Sequence, residues 1–295
     1  MIERMQKSEP FIVGFDPLHA LPRKERGQRL DAYLSFLQKR DGEPNLQTKT
    51  LSEREGFFRQ IDAAPVRWQG EIDRDSFHKN LNVSLTEKVD PKIVWLLAAA
   101  KSNRVEQYGV ELDLKLKGDH FGEFAHGQHM TFIDLEEFYH TRILRDCCKV
   151  FDLEFNIDPP KSFTRWFASM VVRSPFRARL VTALCGELFG CVAFQVLWES
   201  TTIFADQPEV MRRLQLLVRE ILIDELGHVA FGHAMLGPTG LVAVRALYPI
   251  IASYFLKDLP EFWILAGGKE KFLERVSAFD LASNSNLWDL SAAPA

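Results

Sequence analysis

The sequence predicts an all-α protein forming a single domain over residues 1–295: a four-helix bundle at 91–236, an irregular and partly helical N-terminal wrap at 1–90, and a C-terminal helix and tail at 237–295. Two observations predict it. From Asp90-Pro91 onward, long segments repeat their apolar residues at helical spacing and are separated by Gly and Pro breaks. Within two of them stand Glu-x-x-His units, Glu137 with His140 and Glu225 with His228, 88 residues apart, each preceded by another acid, Glu136 or Asp224.

The wrap is punctuated by Pro10, Pro17, Pro22, Gly42, Pro44, Pro65 and Gly70, with one amphipathic helix at Arg26–Lys39. Asp90 can cap the first long helix, Pro91 suits its first position, and the helix extends toward Lys117. Gly118-Asp119 breaks the pattern. A second helix carries Phe124, Met130, Ile133, Tyr139, Ile143 and Leu144, and Pro159-Pro160 stops it. Ser174-Pro175 starts a third helix through Trp198, and Asp206 with Pro208 starts a fourth that ends near Gly237-Pro238. Residues 241–256 read as a fifth, largely buried helix.

Of the 295 residues 46% are apolar, enough for a substantial core, and the net charge is −4. The basic cluster Arg23, Lys24, Arg26 and Arg29 lies among acids and reads as solvated surface, so nucleic acid is not an expected partner. Met1–Pro10 lacks a secretory apolar stretch, and no run approaches the eighteen apolar residues of a membrane span, so the expectation is a cytoplasmic protein with no membrane partner. Cys147, Cys148, Cys185 and Cys191 form no CxxC pair, fall in apolar helical segments and read as reduced, buried thiols.

A helix turns about 100° per residue, so a Glu and a His three apart share a face and can grip one ion. Two ions need further carboxylates. Glu187 is surrounded at helical spacing by Ala183, Leu184, Gly190, Cys191 and Phe194, which points it into the core. On the first helix Glu106 shares a face with Ala99, Asn103 and Val110 and is preferred, with Glu111 on the neighbouring face as the alternative. Four carboxylates match the charge of two divalent ions, which answers the cost of burying them together. Carboxylates with one imidazole per ion favour iron, with manganese or a mixed pair as alternatives. A ligating His usually donates its other N–H to a carboxylate, which assigns Glu136 to His228 and Asp224 to His140, across the bundle. His129, close to the face of Glu137, is the further histidine to check, and His120, His126 and His233 read as surface or outer-layer residues.

One Glu from each of two helices plus Glu-x-x-His from each of two others resembles the centre of ferritin-like di-iron carboxylate proteins, over residues 91–236. The order Glu106, Glu137, His140, Glu187, Glu225, His228, with gaps of 31 and 38 residues before the two motifs, is similar to the oxygen-activating, non-haem di-iron oxygenase branch. That resemblance implies two Fe, O2 as co-substrate, a small organic substrate, a ferredoxin or reductase as electron donor, and leaves room for a homodimer. Glu187, Cys191 and Tyr139 are candidates for catalytic parts, with packing the preferred reading for Cys191 and a structural hydrogen bond the preferred one for Tyr139, and Phe138, Phe189 and Phe194 could wall off a dry pocket.

Departures narrow the resemblance. Leu144 stands where a ribonucleotide reductase small subunit carries its radical tyrosine. Ile221 replaces the third histidine of the p-aminobenzoate N-oxygenase group, and Cys191 replaces the threonine of multicomponent hydroxylases. The expected reaction is C-hydroxylation, N-oxygenation or desaturation, since these share one oxidant and differ by substrate pose. The alternative is a ferritin-like protein that oxidises or stores metal, or removes peroxide, without an organic substrate.

Overall fold

The computed structural model describes residues 19–85, 88–117, 127–156, 158–160 and 162–278. Helix makes up 78% of these residues, and the only strands among them are the antiparallel pair β1 (Pro44–Asn45) and β2 (Thr50–Leu51), so the protein is all-α. Residues 1–18, Gly118-Asp119, His120, Phe124, His126 and the tail around Asn284 lie outside the described residues.

The N-terminal region is more helical than its Pro and Gly content suggests. It holds α1 (Arg23–Asp41), α2 (Ser52–Ala63) and α3 (Arg74–Leu81). Their mixed charge hides the pattern: α1 buries only Leu30, Tyr33, Leu37 and Asp41, and α2 only Arg54, Phe58 and Ile61. Gly42 ends α1 with φ +75, and its Cα lies so close to Ser52 that a Cβ there would meet the hydroxyl.

Four long helices follow the expected order. In α4 (Pro91–Lys117) Asp90 accepts the Lys92 N–H at 2.7 Å, the cap the Asp-Pro pair foretells. The second, α5 (Gly127–Lys149), stops ten residues before Pro159, earlier than expected. Val150, Phe151 and Leu153 are each buried, and Phe151 packs on Trp68 and Phe204, so the chain turns through Asp152 at φ +54 to place them. Next comes α6 (Ser162–Arg173), which the sequence reading missed. Then α7 (Phe176–Glu199) runs into a short 3-10 turn, and α8 (Pro208–Met235) starts on its proline.

Beyond them lie α9 (Pro238–Asp258), α10 (Glu261–Leu265) and α11 (Lys269–Ala278). Packing runs from α4 to α5, α5 to α8, α8 to α7 and α7 back to α4, a ring of four long helices. Around it, α1 lies along α8, α9 covers α7, and α6 touches α4, α7 and α9. Two segments among the described residues are long and apolar enough to cross a membrane, Phe176–Phe204 and Pro238–Asp258, because apolar windows tolerate an occasional polar residue that breaks a strict run. The first is 72% buried as core, and the second only 39%.

Candidate metal centre

α5 and α8 face each other with their motifs in antiphase. His140 and Glu136 are fully buried, as nearly are Asp224, Glu225 and His228. The Nε2 atom of His140 lies 3.1 Å from Asp224 Oδ2, and that of His228 lies 3.0 Å from Glu136 Oε2. Each imidazole is thus tied to the acid that precedes the other motif. The Nε2 proton is fixed in both rings, and both Nδ1 atoms turn inward.

Those Nδ1 atoms meet carboxylates. His140 Nδ1 is 3.5 Å from Glu137 Oε2 and 3.7 Å from Glu225 Oε1, while His228 Nδ1 is 3.3 Å from Glu137 Oε1 and 3.4 Å from Glu187 Oε2. Two three-residue groups result, Glu106–Glu137–His140 and Glu137–Glu187–His228, each offering ligand atoms within 4.8 Å of one another. Glu137 belongs to both. The imidazole centroids are 5.8 Å apart.

Each of the two groups could hold a metal ion. His140 Nδ1 is buried without a hydrogen-bond partner yet points into the carboxylates. At Gly190 a Cβ would stand 2.5 Å from Glu225 Oε2, so the missing side chain is the space the Glu225 carboxylate occupies. An uncompensated buried carboxylate costs several kcal/mol, and an ion would offset that cost for Glu225, the buried one of the four.

The wrap reaches this centre from below. Arg40 at the end of α1 and Arg54 in α2 both bond Asp224, one guanidinium to each carboxylate oxygen. Arg54 also meets Glu220 at 2.5 Å, and Arg40 meets Asp41 at 3.1 Å and Glu136 at 3.5 Å. Tyr33 of α1 presses on the residue before His228, where a Cβ on Gly227 would come within 2.7 Å of its ring. Arg40, Arg54 and the Tyr33–Gly227 contact were absent from the sequence reading, and Gly190 figured there only as a neighbour of Glu187. A charged helix end carries no mark of burial, and the one available hint was a Gly three residues after Glu187.

The charges follow from this geometry. Burial works against ionised Asp224, but Arg40 and Arg54 outweigh it and hold its pKa well below the ordinary carboxylate value. Glu136 is raised to about 8 by burial and by the Asp224 charge, against the pull of His228. Burial disfavours a charged His140, yet Glu137 and Asp224 raise its pKa to about 10. Burial and then the neighbouring glutamates raise Glu106 and Glu225. Without ions the centre stores protons.

A cavity of about 330 Å³ opens on the carboxylates. Glu106, Glu137, Glu187, Glu225 and His228 form one wall, and the remainder is mostly apolar, with Phe138, Phe189 and Phe194 among its lining.

Other expectations need correction. Tyr139 does not reach the cavity: its hydroxyl accepts the Leu51 N–H at 2.9 Å, donates to Glu55 at 2.8 Å, and its ring stacks on Phe58, so it anchors the wrap. Cys191 is buried beside Glu225 and Glu187 and is not among the residues lining the cavity, and burial pushes its thiol pKa up, in keeping with the packing role preferred from the sequence. Glu111 is exposed and accepts from Gln107, which leaves Glu106 as the α4 member of the cluster. His129 and His233 are buried but bond the carbonyls of Leu30 and His19, away from the centre. In comparisons with known proteins, no family model, no curated protein and no solved structure matches the chain.

Proposed function

We propose that the four long helices are a ferritin-like bundle holding two iron ions, and that the protein is an oxygenase that uses O2 to oxidise a small, largely apolar organic molecule. One observation carries the reading: both inward Nδ1 atoms face Glu137, and both Nε2 atoms are tied to the acid of the opposite motif. Glu106, Glu137 and His140 would hold one ion, and Glu137, Glu187 and His228 the other, with Glu225 completing the set against Gly190. When bound, the ions supply the electron-transfer chemistry that activates O2. Manganese, alone or mixed with iron, satisfies the same donors.

The chain's residues then have separable parts. Asp224 and Glu136 hold the Nε2 protons so that each Nδ1 keeps its lone pair for an ion. Arg40 and Arg54 keep Asp224 ionised in a buried place. Glu137 and Glu187 retain some side-chain exposure, 21% and 24%, and front the cavity, so Glu187 has room to swing. The apolar walls orient the substrate and exclude water from the reacting side.

The cavity favours an organic substrate over storage, because metal oxidation alone has no use for an apolar chamber of that size. Electrons would come from a ferredoxin-type or reductase partner. Iron-loaded, chemically reduced protein tested against a panel of apolar aromatic and aliphatic compounds should consume O2 faster with some of them and give oxygenated product. Uptake of O2 independent of every compound, together with iron mineral or catalase turnover, would support the storage reading instead.

A further inference from the structure

Exposed apolar side chains are concentrated on one side of the molecule. Of seven large hydrophobic residues that are exposed among the described residues, four lie on α9 (Val242, Leu247, Ile250 and Tyr254) and a fifth, Trp166, on α6. The inner face of α9, through Leu241, Val244, Tyr248 and Phe255, is buried, so this helix has apolar side chains on both its buried and its solvent-facing sides. Its neighbour α6 is strongly amphipathic and meets it where Phe167 packs edge-on against Phe255. Soluble monomers rarely expose contiguous apolar surface of this kind without a partner.

Charge tells which partner. The two helices of this face, α6 and α9, carry exposed Arg165, Arg173, Arg245 and Lys257 against one acid, Asp258, although the whole chain has net charge −4. Asp258 accepts a hydrogen bond from Thr164 at 2.6 Å. Apolar helix faces with Trp and Tyr at the edge and basic residues around them match the layer between headgroups and acyl chains. A second copy on the same face would set these cations against their equivalents. We propose that the α6–α9 face docks on an anionic lipid surface, which revises the expectation of no membrane partner. The same helices roof the cavity, which Phe167, Val171 and Phe255 help to line, so an apolar molecule dissolved in the lipid would have a short way in.

The test needs no metal. Purified full-length chain is floated with vesicles of phosphatidylcholine alone or of a two-to-one mixture with phosphatidylglycerol. The chain should rise with the anionic vesicles, less with neutral ones, and less as salt increases. Lys257→Gln should weaken binding about fivefold, the worth of one basic residue at such a surface. Val242→Asp with Ile250→Asp should lose most of the binding while keeping its helical circular dichroism, and if that variant unfolds, Lys257→Gln and Arg165→Gln decide. Failure to float with either vesicle, equal flotation of the charge variants, or a dimer that Ile250→Asp splits without any vesicle binding would overturn the proposal.

Discussion

Asp224 Oδ2 accepts the Nε2 proton of His140 at 3.1 Å, across the gap between α8 and α5, while both oxygens of the same carboxylate hold buried guanidiniums. One side chain therefore orients the His140 imidazole and neutralises two cations brought in by α1 and α2. Asp224→Ala should cost about 3–5 kcal/mol in denaturant unfolding, because it strands Arg40 and Arg54, and should weaken metal binding about 10–100-fold. Asp224→Asn, which keeps the shape, should lose less stability than Ala, since the amide oxygen still accepts one hydrogen bond. Titration of both variants with Fe(II) or Co(II), alongside unfolding, checks the pair of effects.

Gly190 makes the opposite dissociation. Ala is the better helix former by about 1 kcal/mol, so Gly190→Ala on a helix surface would stabilise. Here its methyl would press on the Glu225 carboxylate from 2.5 Å. Metal content should fall while helicity and the unfolding midpoint of the metal-free chain change little. An unchanged metal content would show that Glu225 does not need its present position.

The stored protons set a pH dependence. The folded pKa of His140, about 10, lies above its ordinary value of 6.5, so its stabilising charge is fully present below pH 6.5 and is lost as pH rises toward 10. Glu136, raised to about 8, binds its proton more tightly folded than unfolded and gives the same sign over its range. On these two groups the metal-free chain should therefore lose stability from about pH 4.5, through Glu136, and on to about pH 10, through His140. Metal uptake should run the other way, gaining affinity with pH and releasing protons, since Nδ1 must be free to bind an ion. Calorimetric titration in buffers of different ionisation enthalpy measures the proton count directly.

Tyr139 provides a control. Tyr139→Phe removes the acceptor of the Leu51 N–H and the donor to Glu55, and should cost about 1–3 kcal/mol as a buried N–H loses its partner. Metal binding should stay as in the parent protein. Cys191→Ala should likewise spare the metals, with a small packing loss.

The helices that carry the two Glu-x-x-His units were legible because their chemistry and their periodicity coincide. Asp90-Pro91, Ser174-Pro175 and Pro208 each mark a helix start, and a Glu on an apolar face, such as Glu187, has few other uses. The cross-bundle partners of His140 and His228 could be assigned because the acids sit one residue before each motif, on the neighbouring face. The role of the wrap was hidden. Arg40 and Arg54 sit in charge-rich helices whose few buried positions produce no apolar stripe, and only the tertiary arrangement brings them beneath Asp224. The outward face of α9 was hidden for the converse reason: a helix with apolar residues on both its faces reads as core from sequence, whether or not a neighbour covers it.

The most direct test of the central claim is a metal count. Protein reconstituted anaerobically with Fe(II), freed of loose metal and analysed for iron should hold two ions per chain, and the variant combining Glu137→Ala with Glu225→Ala should hold none. A parent protein that retains no iron or manganese, or a variant that retains as much as the parent, would contradict the account.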